Sequence, residues 1–190
     1  VDGDNANITS SSFKYCNANG EYSPMGGAIY VGGDNAIIEN SEFDSTSAIG
    51  EDGGYGGAIA ISGKGASIAN STFVRGSSGY GGTIYIQGEN TEVKNSSIRY
   101  TTSSYDGGAI YVEGDNAVIS ADFAMCMAIG STYETEDWVT GEPVVISVPA
   151  NGGAIYVKGE NVNITKSSFD TTIAKNGGDG GAIYIAGYNA

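Results

Sequence analysis

Apolar residues along this chain fall in short alternating runs, each broken by Gly or Asn-rich turns and too short for a helix. The clearest run pairs Ile with an aliphatic two residues on: Ile29 and Val31, Ile59 and Ile61, Ile84 and Ile86, Ile110 and Val112, Ile155 and Val157, Ile183 and Ile185. Each belongs to the string Gly-Gly-Ala-Ile-Tyr or a variant of it, opening at Gly26, Gly56, Gly81, Gly107, Gly152 and Gly180. Ala60 replaces Tyr in the second copy, and Thr83 replaces Ala in the third. A second Gly follows seven residues later (Gly33, Gly63, Gly88, Gly114, Gly159, Gly187, with Gly3 in phase), usually before an acid and Asn. Then come Ile or Val (Ile8, Ile38, Ile68, Val93, Ile119, Ile164), Ser, and two later Phe (Phe13, Phe43, Phe73, Phe123, Phe169) or Ile98. A small residue closes each copy: Ala18, Ala48, Ser78, Ser103, Ala128 and Ala174.

Openings are spaced 30, 25, 26, 45 and 28 residues apart. Three short strands per repeat at this period describe a coil of a right-handed parallel β-helix, an all-β solenoid of about six coils. Coils stack at about 4.8 Å, so equivalent positions form columns. The invariant Ile and aliphatic columns point inward, as do the Ser column (Ser11, Ser41, Ser71, Ser96, Ser167) and the Phe column. The intervening Tyr column then faces out. Asn5, Asn35, Asn90, Asn116 and Asn161 mark a tight turn, at positive φ or as an amide ladder. The fifth copy is one residue short before Phe123.

Length varies at one place only, between the small residue and the next Gly-Gly, with 7, 7, 2, 3, 23 and 5 residues. All three prolines, Pro24, Pro143 and Pro149, lie there, as expected if the ladders exclude Pro. The loops therefore share one edge. Residues 1–190 read as one β-helix segment and 129–151 as a long insertion, whose Glu142 to Val148 stretch alternates enough for a hairpin or covering strand. Val1 is in phase with Val31 and Ala190 with Ala36, so the expectation is an excerpt of a longer rod or a unit that stacks head to tail.

Composition narrows the chemistry. The chain has no His, which excludes Ser-His-Asp and Cys-His catalysis and imidazole metal sites. It has no Leu and 31 Gly. Eight basic residues against 22 acidic ones, a net charge of −14, argue against nucleic acid as a partner. No apolar run approaches the roughly 20 residues of a membrane span.

Gly-Gly-Ala-Ile-Tyr-Val, then Gly-Asp-Asn-Ala-x-Ile, then Asn-Ser-x-Phe resembles the repeats of large adhesin-like surface proteins of methanogenic archaea. It is more distantly similar to chlamydial polymorphic outer-membrane proteins, whose Phe-x-x-Asn motif is missing: Cys16, Thr46, Gly76, Cys126 and Thr172 stand in the Asn position. The resemblance implies an extracellular or cell-surface repeat protein engaged in attachment, with cell-surface proteins, glycans or copies of itself as partners.

Cys16 and Cys126 share one repeat position four coils apart, about 19 Å by strand spacing, too far for a disulfide and expected as buried thiols. The turn acids Asp4, Asp34, Glu89, Asp115 and Glu160 form a column whose like charges repel by roughly 1 kcal/mol in water, which Ca²⁺ would relieve; the alternative is solvated turn carboxylates, with no cofactor. Asn7, Asn70, Asn95 and Asn163 open glycosylation sequons. Tyr30, Tyr85, Tyr111, Tyr156 and Tyr184 form the outward column, and Tyr22, Tyr55, Tyr80, Tyr105 and Tyr133 fall one per adjoining loop, with Trp138 in the longest. Rings beside loop carboxylates suit sugar stacking or a protein interface; the plainer reading is ring-on-ring stacking, or cover by the long loop. Hydrolysis of a polysaccharide needs two carboxylates about 5 to 10 Å apart. Asp44 and Asp170 stand in distant coils, and Arg75 and Arg99 lack an evident acid cluster. The expectation is therefore a non-enzymatic adhesive rod, with a polysaccharide-active enzyme and a head-to-tail filament subunit as alternatives.

Overall fold

The computed structural model describes residues 1–189; Ala190, expected in phase with Ala36, lies outside the described residues. The chain is a parallel β-helix of six coils, and among the described residues no helix is long and apolar enough to cross a membrane. One six-stranded sheet stacks Ile29–Val31, Ile59–Ile61, Ile84–Ile86, Ile110–Val112, Ile155–Val157 and Ile183–Ile185. A second six-stranded sheet carries the small-residue column, from Asn17–Asn19 to Ile173–Ala174. The third sheet has ten strands, because it folds over a corner. Most coils therefore hold four short strands rather than the three expected. The extra break falls between the Ile38 and Phe43 columns, at the left-handed residues Ser10 (φ 50), Asn40 (φ 52), Asn70 (φ 50) and Lys166 (φ 51).

Two coils smooth that corner. The strand Glu92–Arg99 runs through it, with Asn95 left unpaired as a bulge at φ 49. In the next coil the missing residue is the corner residue itself, so Val118–Ala124 passes straight through. The one-residue deletion seen in the sequence thus removes a bend, not a strand.

Core columns follow the residue pattern. Ile59, Ile61, Ile68, Phe73, Ile84, Ile86, Val93 and Ile98 are fully buried. Phe13, Phe43 and Phe73 stack at ring-centroid separations of 4.9 and 4.7 Å with planes within 9°, and Phe123 stacks on Phe169 at 5.0 Å. These separations equal the strand spacing, so the rings are held face to face by the backbone rather than by their own preference for offset contact.

Beside the Phe column runs a ladder of hydroxyls. Ser41 Oγ accepts the Ser11 N–H, Ser71 Oγ the Ser41 N–H and Ser96 Oγ the Ser71 N–H, each at 3.2 Å. Each hydroxyl in turn donates to the carbonyl two residues back, as Ser41 Oγ does to Glu39 O at 2.8 Å. The corner would otherwise bury unpaired backbone donors, and one hydroxyl per coil pairs them.

Turns are fixed by conformation and by space. Asn5, Asn35, Asn90, Asn116 and Asn161 sit at φ between 54 and 58, which settles the tight-turn reading in favour of left-handed backbone. The second Gly of each Gly-Gly pair (Gly27, Gly57, Gly82, Gly108, Gly153) faces the carbonyl of its counterpart one coil on, where a Cβ would overlap backbone.

Phe43→Ala should cost about 3–5 kcal/mol, the range for emptying a buried aromatic position, and should loosen the neighbouring coils. Ser71→Ala should cost about 1–3 kcal/mol by orphaning the Ser41 N–H. Chemical denaturation of both variants checks the order; a neutral Ser71→Ala would show that the ladder stabilises nothing.

Candidate functional site

The loop edge is built from the shortest loops. Ser78 and Ser103 close the coils with two- and three-residue loops, and their hydroxyls donate at 2.9 Å to the Tyr80 and Tyr105 carbonyls respectively. The loops also bond to one another: Gly56 N–H to Tyr80 O, Tyr80 N–H to Gly54 O, and Tyr105 N–H to Gly79 O. Isolated parallel bridges join Met25 to Tyr55 and Tyr55 to Tyr80. Loop tyrosines are therefore stacked in register like strand residues.

The outcome is two ring columns packed against each other. Tyr55, Tyr80 and Tyr105 stack at 5.1 and 4.9 Å. Tyr85, Tyr111, Tyr156 and Tyr184 stack at 5.8, 4.8 and 5.2 Å. Tyr55 tilts onto Tyr85 at 4.6 Å, and Tyr80 meets Tyr111 edge-on at 5.4 Å. Met25, Tyr30, Tyr55, Tyr80 and Tyr156 pack against the buried group of Ala60, Tyr85 and Tyr111. The sequence pattern turns the Tyr column outward, with ring-on-ring stacking as its plainer reading, and the rings do stack. The column does point away from the β-helix interior, but Tyr85 is only 3% exposed and Tyr111 7%. Cover comes from the loop tyrosines and not from the long loop.

Burial governs the acid–base behaviour of this second core. Desolvation raises the phenol pKa of Tyr55, Tyr80, Tyr85, Tyr111 and Tyr156, and Glu113 adds to each. Tyr85 donates its hydroxyl to Glu113 at 2.5 Å, and Lys158 Nζ reaches the other Glu113 oxygen at 2.9 Å, which raises the Lys158 pKa. Asp106 is half-buried at the same edge and its pKa is raised by desolvation, against the pull of the Asn151 backbone and side-chain N–H groups at 2.7 and 3.1 Å. Asn151 passes the pattern on by accepting the Asp179 N–H. Glu113, Lys158 and Met25 did not figure in the sequence reading. Glu113 and Lys158 follow the Val of successive copies, so reading that column along the stack reveals the pair.

The remaining aromatic candidates stand apart from this core. Tyr22 and Tyr133 are exposed, and Trp138 is 94% exposed. The long insertion forms an antiparallel hairpin, Ser131–Glu136 with Pro143–Val148, as the alternation at Glu142 to Val148 suggested. Both faces of both strands are open to solvent along most of their length, and among the described residues neither strand contacts any other strand.

The turn acids have partners of another kind. Asp4 Oδ1 accepts the Asp34 N–H at 2.9 Å, Asp34 Oδ1 the Lys64 N–H at 2.7 Å, and Asp115 Oδ1 the Glu160 N–H at 2.7 Å. Glu89 pairs with Lys64 at 3.1 Å. Backbone donors of the next coil thus offset the column's self-repulsion. Among the described residues no three His, Cys, Asp or Glu side chains gather about one point. The sequon residues Asn7, Asn70, Asn95 and Asn163 are all exposed, Asn70 and Asn95 at the left-handed corner.

One further expectation changes, that for Cys16. Cys126 is buried, its Sγ 3.7 Å from the Ile98 and Ala124 carbonyls, and burial pushes its thiol pKa up. Cys16 is only half-buried, its Sγ 3.7 Å from the Lys14 carbonyl. Arg75 does have an acidic partner, Asp44 of the preceding coil at 2.5 Å. No family model, curated protein or solved structure matches the chain.

Tyr85→Ala should cost about 3 kcal/mol, as for a buried aromatic and unlike a surface ring. Tyr85→Phe should cost about 1 kcal/mol, the worth of one hydrogen bond. The pH dependence has a definite sign. The folded state holds these phenols protonated above their ordinary value of 10.0, so their contribution is whole below pH 10.0 and is lost as pH rises past it. Near-ultraviolet absorbance titration should therefore show the packed tyrosines ionising only with unfolding. Alkylation of the native protein should modify Cys16 and spare Cys126 until denaturant is added, as peptide mass mapping would show.

Proposed function

We propose that this chain is a rigid segment of an extracellular, cell-surface adhesive rod, without catalytic activity, that holds attachment elements away from its axis. The observation that carries the reading is the contrast along one edge. Tyr55, Tyr80 and Tyr105 are spent on stacking, while the only long loop leaves the rod as a free hairpin tipped by Trp138. A stack in which every coil pairs with the next along three sheets resists bending and stretching, and that is what an attachment stalk requires. The resemblance of the repeats to adhesin-like surface proteins supports the same reading.

The tyrosine columns are therefore scaffold, and attachment falls to the hairpin together with Tyr22. A sugar ring needs a bare aromatic face, and the faces of Tyr80, Tyr111 and Tyr156 are occupied by other tyrosines. Enzymatic hydrolysis gains no support, since Asp44 is held by Arg75 and Asp106 by Asn151.

Replacing residues 129–151 with a short turn should leave the circular dichroism spectrum nearly unchanged, because Ser104 to Asp106 already closes an equivalent gap, and should lower the melting temperature modestly, because the Asn151 bonds to Asp106 and the buried Ala150 are lost. Beads coated with that variant should lose adhesion to protein- and glycan-bearing cell surfaces. Beads coated with Tyr85→Phe should adhere as the parent does. Full adhesion without the hairpin would overturn the assignment of attachment to it.

A further inference from the structure

The hairpin poses a physical problem. Two strands with both faces in water are marginal on their own, since three strands or a packed face are normally needed. Here the pairs Tyr133 with Ile146 and Thr135 with Val144 share one face, and Glu134 with Val145 and Glu136 with Pro143 share the other. One face is thus apolar. The other carries two carboxylates on a single strand, two residues apart. Residues 129–151 contain Glu134, Glu136, Asp137 and Glu142 and no Lys or Arg. At the tip, Asp137 accepts the Val139 and Thr140 N–H groups at 2.8 and 3.2 Å, which holds the turn and leaves Trp138 and Val139 exposed.

We infer that the Ser131–Glu136 strand is a docking edge for an extended, basic segment of a partner protein, which adds to the hairpin as a third strand. A strand laid beside it places alternate side chains opposite Glu134 and Glu136, where Lys or Arg is favoured and acids are repelled. Its intervening side chains fall on the Tyr133 face, where apolar groups are favoured. The other edge is the poorer acceptor, since Pro143 at its start has no N–H to donate. A second copy of this hairpin is disfavoured, because it brings four more carboxylates and no base. Trp138 supplies the anchor of the kind that dominates small interfaces.

This inference rests on the adhesive reading, and its test is separate. The purified chain is titrated with a short blocked peptide of alternating lysine and valine, following the fluorescence of Trp138, the only tryptophan. A saturable blue shift is expected. Glu134→Lys combined with Glu136→Lys should weaken binding roughly tenfold or more, and Glu134→Gln with Glu136→Gln should fall between. A glutamate–valine peptide should not bind. Calorimetry should find no binding to the chain lacking 129–151. Equal affinity for that chain would place the peptide on the acidic rod instead and overturn the inference, as would an unchanged affinity in the charge-reversed variant. So would a hairpin-dependent dimer in sedimentation. If charge-reversed beads still adhere to cells while hairpin-less beads do not, basic-strand docking fails and the adhesive function stands. If the lysine peptide behaves as expected but hairpin removal leaves adhesion intact, the adhesive function fails and the docking edge stands.

Discussion

The whole structure hangs on one constraint: each coil must meet the next at a single strand spacing, in register, along every sheet. Backbone hydrogen bonds impose it. Ala28 N–H bonds to Ala58 O, Ala58 N–H to Thr83 O, Thr83 N–H to Ala109 O and Ala109 N–H to Ala154 O, in an unbroken line. Once that line exists, whatever residue occupies a position must tolerate its equivalent about 4.8 Å away on either side. Phe tolerates Phe by stacking, Ser tolerates Ser by donating and accepting, and Gly27 tolerates Gly57 only because neither has a Cβ. Asp tolerates Asp when each carboxylate turns to a neighbouring N–H. Column composition is the record of these solutions.

The same constraint explains why the chain accepts strain at its corners. Non-glycine residues at left-handed φ cost about 1–2 kcal/mol each, least for Asn and Asp. Asn dominates at the tight turn, yet the corner after the Phe column holds Tyr15, Ser45, Arg75, Tyr100, Met125 and Thr171 at φ between 52 and 58. Side-chain chemistry at that corner is evidently not selected. The burial of one Phe and three aliphatics per coil, at about 1.5–3 kcal/mol apiece, exceeds the strain. Packing therefore sets the corner and the backbone conformation follows.

Most of the architecture was legible in the sequence because columns are legible: inward Ile, Ser and Phe, left-handed Asn, and one edge of variable length. The count of strands per coil was not. Whether a chain bends between Ile38 and Phe43 depends on a single left-handed residue, and a run of Ile-Glu-Asn-Ser-Glu-Phe reads alike bent or straight. The fate of the tyrosines was also hidden. Period-2 alternation correctly turned Tyr85 away from the interior, but alternation knows only two sides of a sheet. Whether the second side meets water depends on what the neighbouring loops carry, and here they carry Tyr55 and Tyr80.

The loops show how one edge can be both scaffold and presenter. Where the closing residue is Ser, as at Ser78 and Ser103, its hydroxyl holds the carbonyl of a loop tyrosine and the loop is short. Where it is Ala, as at Ala128, no such tether exists, and the longest loop in the chain follows directly. A tethered loop adds its ring to the stack and becomes part of the core. The hairpin within residues 129–151 has no ladder partner and satisfies its strand backbone internally. The loops after Ala18 and Ala48 join the ladder without a Ser tether, through the Met25–Tyr55 and Tyr55–Tyr80 bridges, so a segment leaves the rod where its length carries it beyond any ladder partner rather than where its closing residue is Ala.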